Sequence, residues 1–213
     1  MTKRKGKNMK IWGRDNSGNV KKTLWTAAEL GQDVEYIHAG GKYGGLENPE
    51  FLKRNPNGKV PLLEDGMFYL WESNVIVRYL AAKYGKDSLW IEDPAERAAA
   101  EKWMDWSSNS VAPHIRNIIQ HAVRLPQDER DPKILEQSVA DLAKVLEIAN
   151  THLADNEWMS GKTFGIGDIP LGANLYLWFA LPLDRPSFPH IERWYQQLVV
   201  RPHYRDRVMT TIE

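Results

Sequence analysis

The hydrophobic pattern of the chain changes near residue 90, and this change constrains the fold more than any other feature. From residue 9 to residue 85, short apolar runs alternate with segments whose apolar residues recur at helical spacing. From residue 93 onward every periodic segment is helical. Strands mixed with helices, followed by helices alone, predict an α+β chain in two parts.

The first part is predicted to contain seven elements in the order βαβαββα. A strand begins at Met9, and the first helix ends at Gly31. Further on, Glu64-Asp65-Gly66 separates two apolar runs, and Asp-Gly in that position favours a hairpin. We therefore expect a first domain at residues 9–85.

The second part is predicted to be an all-helical domain at residues 94–213, joined to the first by a linker at 86–93. Asp93-Pro94 combines an N-cap residue with a proline at the first helical position, which is a strong helix start. Four helix starts are predicted, at Pro94, Pro132, Gly165 (as the N-cap, with Asp168 at N3) and Pro189.

Composition excludes several classes of function. The chain has no cysteine, which excludes disulfides, thiolate metal sites and a protein thiol nucleophile. Lys plus Arg and Asp plus Glu both number 28, so a basic surface for nucleic acid is not expected. The basic start at residues 2–7 lacks the apolar stretch of a signal peptide, and no apolar run reaches the roughly 18 residues of a membrane span. We expect a cytoplasmic protein with no metal, nucleic-acid or membrane site.

Val60-Pro61 is the first candidate for function, because a proline inside an apolar strand forfeits a ladder hydrogen bond. If the peptide bond is cis, the N–H and C=O of Val60 would face outward and could pair with an extended, peptide-like ligand. If the bond is trans, Pro61 merely protects the edge of the sheet. Both interpretations are open from the spacing alone.

Two further turns place polar side chains at helix starts. Glu72-Ser73 follows a strand directly. Ser73 would either cap the helix or, with the neighbouring N–H groups, bind a carboxylate of a ligand. Glu72 would accept hydrogen bonds from an ammonium group. Ser17-Gly18-Asn19 follows the first strand, where Asn19 is either a simple N-cap or a group facing a ligand.

Taken in order, these motifs resemble one family. A Ser-x-Asn turn, Asn-Pro-Asn-Gly-Lys-Val-Pro at 55–61, an Asp-Gly hairpin, Glu-Ser at 72–73 and Phe-Gly-Ile-Gly-Asp-Ile at 164–169 are similar to the cytosolic glutathione transferases. The resemblance covers nearly the whole chain from Met9 and is closest to bacterial members with Ser, Thr or Asn in the first turn.

The resemblance implies a thioredoxin-like first domain that binds glutathione. Val60 would hold its peptide backbone, and the γ-glutamyl group would lie on Glu72 and Ser73. Lys59 would meet the glycine carboxylate, with Lys42 as a weaker candidate for that role. Ser17 would activate the thiol with Asn19 beside it, and the second-substrate pocket would include Trp106, Ser110 and Arg116.

The implied activity is attack of the glutathione thiolate on a small electrophile, by conjugation or dehalogenation, in a detoxifying homodimer. Two alternatives remain: glutathione-dependent reduction of a disulfide or peroxide, and a non-enzymatic partner-binding module with the same fold. Lowering a thiol pKa of about 8.5 by two units needs about 2.7 kcal/mol. One hydrogen bond to the thiolate supplies roughly 1.5–3 kcal/mol and a helix N-terminus about 0.3–1 kcal/mol, so no general base is required.

Overall fold

A computed structural model of the protein describes residues 9–213. Its first part contains the seven predicted elements in the predicted order. They are β1 (Met9–Gly13), α1 (Gly18–Glu29), β2 (Glu35–His38), α2 (Pro49–Arg54), β3 (Leu62–Asp65), β4 (Phe68–Trp71) and α3 (Ser73–Tyr84). The α+β fold class is thereby confirmed, while the domain limits 9–85 and 94–213 stay predictions.

The four strands form one mixed sheet in the order β2-β1-β3-β4. Strand β1 is parallel to β2 and antiparallel to β3, and β3 pairs with β4 through a two-residue turn. The predicted hairpin is displaced by one position, because the turn residues are Gly66 and Met67, with Gly66 at φ +63°. Strand β3 begins at Leu62 rather than Lys59, since Pro61 has no N–H to place in the ladder.

Among the described residues, the second part contains helices and no strand. Its helices are α4 (Pro94–Trp106), α5 (Ala112–Ile119), α6 (Pro132–Asp155), α7 (Asp168–Ala180), α8 (Pro189–Val199) and α9 (Pro202–Arg207). Wide π turns at Ser107–Val111 and Gln120–Arg124 extend α4 and α5 into one continuous helical segment. The first π turn precedes Pro113, which cannot donate the hydrogen bond that a regular helix requires.

The start of α7 differs in detail from the prediction. The helix begins at Asp168 with Gly167 as the capping residue, so Gly165 is not the N-cap. The carboxylate of Asp168 nevertheless accepts the N–H of Gly165 at 3.0 Å and that of Met159 at 2.8 Å. It also accepts the indole N–H of Trp194 at 2.8 Å, so this fully buried side chain ties α7 to α8. The hydrogen bonds that the Asp168 carboxylate accepts, rather than a side-chain cap, therefore stabilise the start of α7.

Two hydrophobic clusters form the core, and α1 contributes to both. Val20 and Leu24 pack in the cluster on the sheet, whereas Trp25 is fully buried in the helical cluster. The ring of Trp25 contacts that of Tyr204 at 4.9 Å, and a Cβ added to Gly172 would lie 3.1 Å from it. Glycine is therefore required where α1 meets α7.

The basic start at residues 2–7, which lacks the apolar stretch of a signal peptide, lies outside the described residues. Within residues 9–213, no helix is both long and apolar enough to cross a membrane.

Candidate functional site

A cavity of about 100 Å³, called here the cradle, lies where α1, the β3 edge and the start of α3 meet. It contains most of the residues that the sequence singled out in the first domain. Its lining is Asn19, Asn55, Asn57, Lys59, Val60, Pro61, Trp71, Glu72 and Ser73. Polar groups from three separate segments thus converge on one small space.

The loop at 55–61 is held by the buried side chain of Asn55. Its Nδ2 donates to the carbonyl of Lys59 at 2.6 Å, and its Oδ1 accepts the N–H of Asn57 at 3.1 Å. The Val60–Pro61 peptide bond is cis, so the trans interpretation of the sequence is wrong. Val60 lies at the cradle wall and is half-buried.

The Glu72-Ser73 pair differs from its predicted geometry by one residue. Glu72, not Ser73, occupies the capping position of α3, with φ +72° and an exposed side chain that makes no capping bond. Ser73 is 7% exposed and its Oγ donates to Oδ1 of Asn19 at 3.2 Å. The helix start therefore offers first-turn N–H groups, one hydroxyl and one free carboxylate to the cradle.

Ser17 and Asn19, the two polar residues at the start of α1, have different roles. Ser17 is the N-cap, and its Oγ accepts the N–H of Val20 at 3.4 Å, so Asn19 is not the cap. The Ser17 hydroxyl still has its proton to donate. Asn19 is exposed in the first turn, and its Nδ2 has no acceptor among residues 9–213.

Two further cavities adjoin the cradle at Asn19. The arginine cavity, of about 200 Å³, is lined by Arg14, Asn16, Ser17, Gly18, Asn19, Ala112, Ile115, Arg116, Ile119, Arg124, Ala173, Asn174 and Leu177. The outer cavity, of about 310 Å³, is lined by Asn19, Glu72, Ser73, Asn74, Val75, Arg78, Asp105, Ser108, Asn109, Ala112 and Arg116. Asn19 lines all three spaces, whereas Ser17 lines the arginine cavity and not the cradle or the outer cavity.

Only one of the three residues predicted for the second-substrate pocket lines these two cavities. Arg116 lines both adjoining cavities, but Trp106 and Ser110 belong to neither lining. Trp106 instead packs edge-on against Trp103, with ring centroids 5.3 Å apart. Lys42 pairs with Glu213 at 3.0 Å and lines a different cavity, so it does not meet Lys59 in the cradle.

Two lysines of α1 are buried next to the site. Lys22 is 1% exposed, and its Nζ lies 3.5 Å from Oδ1 of Asn74. Burial lowers the pKa of Lys22 to about 8, and the nearby carboxylate of Glu72 opposes that shift. Lys21 donates to the carbonyl of Val208 at 2.8 Å, and burial lowers its pKa to about 8 as well. The helix thus places positive charge beneath its own N-terminal turn.

Sequence reasoning missed Arg14, Asn55, Arg124 and Lys22. Lys22 left no local signal, because it is two positions from both Val20 and Leu24 and so lies on the helix face opposite to them, which the pattern assigns to solvent. Arg14 and Arg124 left no local signal, since they are 110 positions apart in the chain. Among residues 9–213, no group of three or more His, Cys, Asp or Glu side chains is placed to hold a metal ion.

The chain matches known proteins over most of its length. Family models described as the N-terminal and C-terminal domains of glutathione S-transferase match residues 7–82 and 111–202. The chain is 45% identical over 204 residues to glutathione S-transferase GstB of Escherichia coli K12, covering 95% of this chain and 98% of that protein. It is 31% identical over 210 residues to glutathione S-transferase 3 of Zea mays, covering 94% and 93% of the two chains.

Among solved structures, the theta class glutathione S-transferase of Xanthomonas axonopodis pv. citri with glutathione bound is similar to this chain. It superposes with a TM-score of 0.94 at 44% sequence identity, covering 97% of this chain and 100% of that one.

Proposed function

This chain belongs to the glutathione S-transferase family and is a glutathione transferase, and on that premise we propose how its own residues bind glutathione and activate the thiol. The observation that supports the assignment most strongly is the convergence of Lys59, Val60, Glu72 and Ser73 on one cavity, with Asn19 at its mouth.

Glutathione is a zwitterionic peptide, and the cradle offers complementary groups along its length. The α-carboxylate of the γ-glutamyl group binds the first-turn N–H groups of α3 and the hydroxyl of Ser73, which rotates away from Asn19. The ammonium group binds the free carboxylate of Glu72. Val60 pairs with the peptide backbone, and Lys59 meets the glycine carboxylate. Lys42, which is paired with Glu213, takes no part in this arrangement.

The sulfur of glutathione lies at the mouth of the cradle, where Asn19 faces all three cavities. The Nδ2 of Asn19 donates a hydrogen bond to the thiolate, and the N-terminus of α1 adds its partial positive charge. Ser17 supports this turn as its N-cap and is a second donor. Asn19 is therefore the principal thiol-activating residue, and Ser17 the secondary one.

The reaction needs no further protein group. The thiol proton leaves to solvent, the sulfur forms a bond to the electrophilic carbon, and the leaving group departs with the electron pair of its bond to that carbon. The arginine cavity and the outer cavity are the two spaces that can hold the electrophile beside the sulfur. Arg116 lines both, and Trp106 and Ser110 stay sequence-based predictions for this pocket.

We also propose that the protein is a cytoplasmic homodimer that detoxifies small electrophiles, as its family membership suggests. Exposed apolar side chains on the β4 hairpin and the first turn of α3 support an interface between two copies. Met67 is 89% exposed, and Phe68, Trp71 and Val75 are also exposed. Sedimentation at micromolar concentration, with a Phe68→Glu variant expected to be monomeric, tests this interface.

Titration with glutathione, followed by calorimetry, tests the cradle. Ser73→Ala and Glu72→Ala each remove a bond to a charged group, so the dissociation constant should rise about 10- to 100-fold. Ser187→Ala, an exposed serine bonded to Glu192 far along the chain, is the matched control and should bind like the parent protein. Unchanged affinity in both cradle variants would refute the assignment.

Product analysis then separates the remaining activities. A thioether product supports transfer to carbon. Turnover of a disulfide or peroxide in its place would favour the reductase alternative, and glutathione binding without turnover of either class would favour the partner-binding module.

A further inference from the structure

Three arginines from distant parts of the chain line the arginine cavity beside Asn19. Arg14 follows β1, Arg116 lies in α5, and Arg124 ends the π turn after α5. Five of the other ten lining residues are apolar. They are Ala112, Ile115, Ile119, Ala173 and Leu177. A space of this kind combines a hydrocarbon-binding surface with three guanidinium groups.

Among residues 9–213, no Asp or Glu side chain lies within 4.0 Å of the charged nitrogens of Arg14, Arg116 or Arg124. Arg14 donates to Oδ1 of Asn16 at 3.1 Å. Arg124 donates to the carbonyl of Asn16 at 2.6 Å and to a main-chain oxygen of Glu213, the last residue of the sequence, at 2.8 Å. Within the same residues, the side chain of Arg116 makes no hydrogen bond, so its guanidinium group can meet a ligand.

The positive charges in this region act on one another. Burial, and then the charge of Arg14, lower the pKa of Arg124. Burial, and then the charge of Arg124, lower the pKa of Lys21 to about 8, while Asp15 opposes that shift. Asp15 and Glu213 line the neighbouring cavity beside Lys42 rather than the arginine cavity. The arginine cavity therefore has an excess of positive charge that a bound anion would relieve.

We propose that the arginine cavity is an anion site, and that the second substrate is a small electrophile that bears a carboxylate. This inference rests on the proposed function and names the substrate class of the same site. The carboxylate binds among Arg14, Arg116 and Arg124, and the hydrocarbon part lies on the apolar wall. The electrophilic carbon then faces Asn19, where the sulfur of glutathione lies.

The covalent step is balanced without a further reactant. For a benzylic chloride, the sulfur–carbon bond forms as the carbon–chlorine bond breaks, and chloride leaves with the bonding electron pair. The thiol proton goes to solvent, and no group is oxidised or reduced. The carboxylate of the substrate is unchanged in the product, so the product conjugate also contains the group that the arginines bind.

Binding of the two product conjugates tests the site without turnover. S-(4-carboxybenzyl)glutathione and S-(4-carbamoylbenzyl)glutathione have the same shape and differ in one charge. By calorimetry, the parent protein should bind the carboxylate conjugate at least tenfold more tightly than the amide, because charge-assisted bonds are the stronger ones. Rates with 4-(chloromethyl)benzoate and 4-(chloromethyl)benzamide, corrected for the uncatalysed reaction, should show the same preference in kcat/KM.

Arg116→Gln is the first variant, because its side chain makes no bond within residues 9–213 and its loss should not affect folding. It should reduce the preference for the carboxylate conjugate at least fivefold while leaving the affinity for the amide conjugate within twofold. Arg14→Gln, which changes a second arginine of the same lining, should have the same effect. Arg205→Gln, an exposed arginine of α9 outside the cavity, is the matched control and should keep the full preference.

The outcomes separate this inference from the function on which it rests. Equal affinity for the two conjugates, or an equal loss for both in the arginine variants, overturns the anion site and leaves the glutathione assignment intact. Failure of glutathione and both conjugates to bind overturns the cradle, and the anion site with it. A carboxylate preference lost in both arginine variants and kept in the control supports the proposal.

Discussion

The assignment of Asn19 as the principal thiol-activating group can be tested by changing its donor and leaving the helix. In Asn19→Ala the α1 N-terminus and the Ser17 cap remain. In the glutathione complex, where Ser73 has rotated away from Asn19, only the side-chain bond to the thiolate is lost. A hydrogen bond to a charged group contributes about 1.5–3 kcal/mol, and 1.36 kcal/mol corresponds to one pKa unit. The pKa of the bound thiol should therefore rise by about 1–2 units.

The assay is the ultraviolet absorbance of the thiolate in the glutathione complex, titrated across pH for the parent protein and each variant. Because the thiolate is the nucleophile, the rate rises with pH up to the pKa of the bound thiol. In Asn19→Ala this rise should move to higher pH by the same amount. Asn19→Asp keeps the size of the side chain but replaces the donor by a carboxylate, so it should raise the thiol pKa at least as far.

Ser17→Ala is the comparison that can refute this reasoning. It removes the N-cap of α1, which should cost about 1 kcal/mol of stability, but it should raise the thiol pKa less than Asn19→Ala does. If Ser17→Ala raises the pKa by a full unit and Asn19→Ala leaves it unchanged, Ser17 is the activating group. In that case, the position of Asn19 at the junction of the three cavities would not make it the thiol-activating residue.

Two further predictions concern the buried charges. Burial lowers the pKa of Lys22 from 10.5 to about 8, so the unfolded chain binds the proton more tightly and the free energy of unfolding should rise between those pH values. Lys22→Met should therefore raise the free energy of unfolding at pH 7 by about 1–3 kcal/mol. In urea titrations this gain should be smaller at pH 10. In Asp168→Asn, an amide N–H group would face N–H donors that now bind a carboxylate, so the free energy of unfolding should fall by about 3 kcal/mol or more. A loss below 1 kcal/mol in the same urea assay would contradict this account of the start of α7.

The order of elements was predictable because it depends on local periodicity. The switch from alternating apolar residues to helical spacing follows from burial of one face of each element, and proline or glycine marks the ends. Pro94, Pro132 and Pro189 each begin a helix as predicted. The errors at Gly66 and Ser73 are shifts of one residue, of the size expected where two neighbouring residues compete for one turn position.

The assembly of the site was less predictable, because it depends on contacts between distant segments. Ser73 does not cap α3, since its hydroxyl bonds to Asn19, which is 54 positions earlier in the chain. Arg14 and Arg124 reach the same cavity only because the end of the long helical segment lies beside the loop after β1, where Arg124 donates to the carbonyl of Asn16 at 2.6 Å. The orientation of Trp106 toward Trp103 likewise depends on helix packing. Local patterns contain no information on such pairings.

The position of Trp25 also bears on how a chain of this kind can be cut, permuted or recombined. The linker at 86–93 divides the sequence, but the tertiary division lies elsewhere, because one face of α1 is part of the helical core. A fragment ending at residue 85 would present a bare indole and the carboxylate of Glu29, whose bidentate partner Arg201 stands near the other end of the chain. A chimera joined at the linker would inherit this interface from two parents at once. To keep this interface, a chimera must take the first part, α7 and α9 from the same parent. A single crossover in the gene cannot do this.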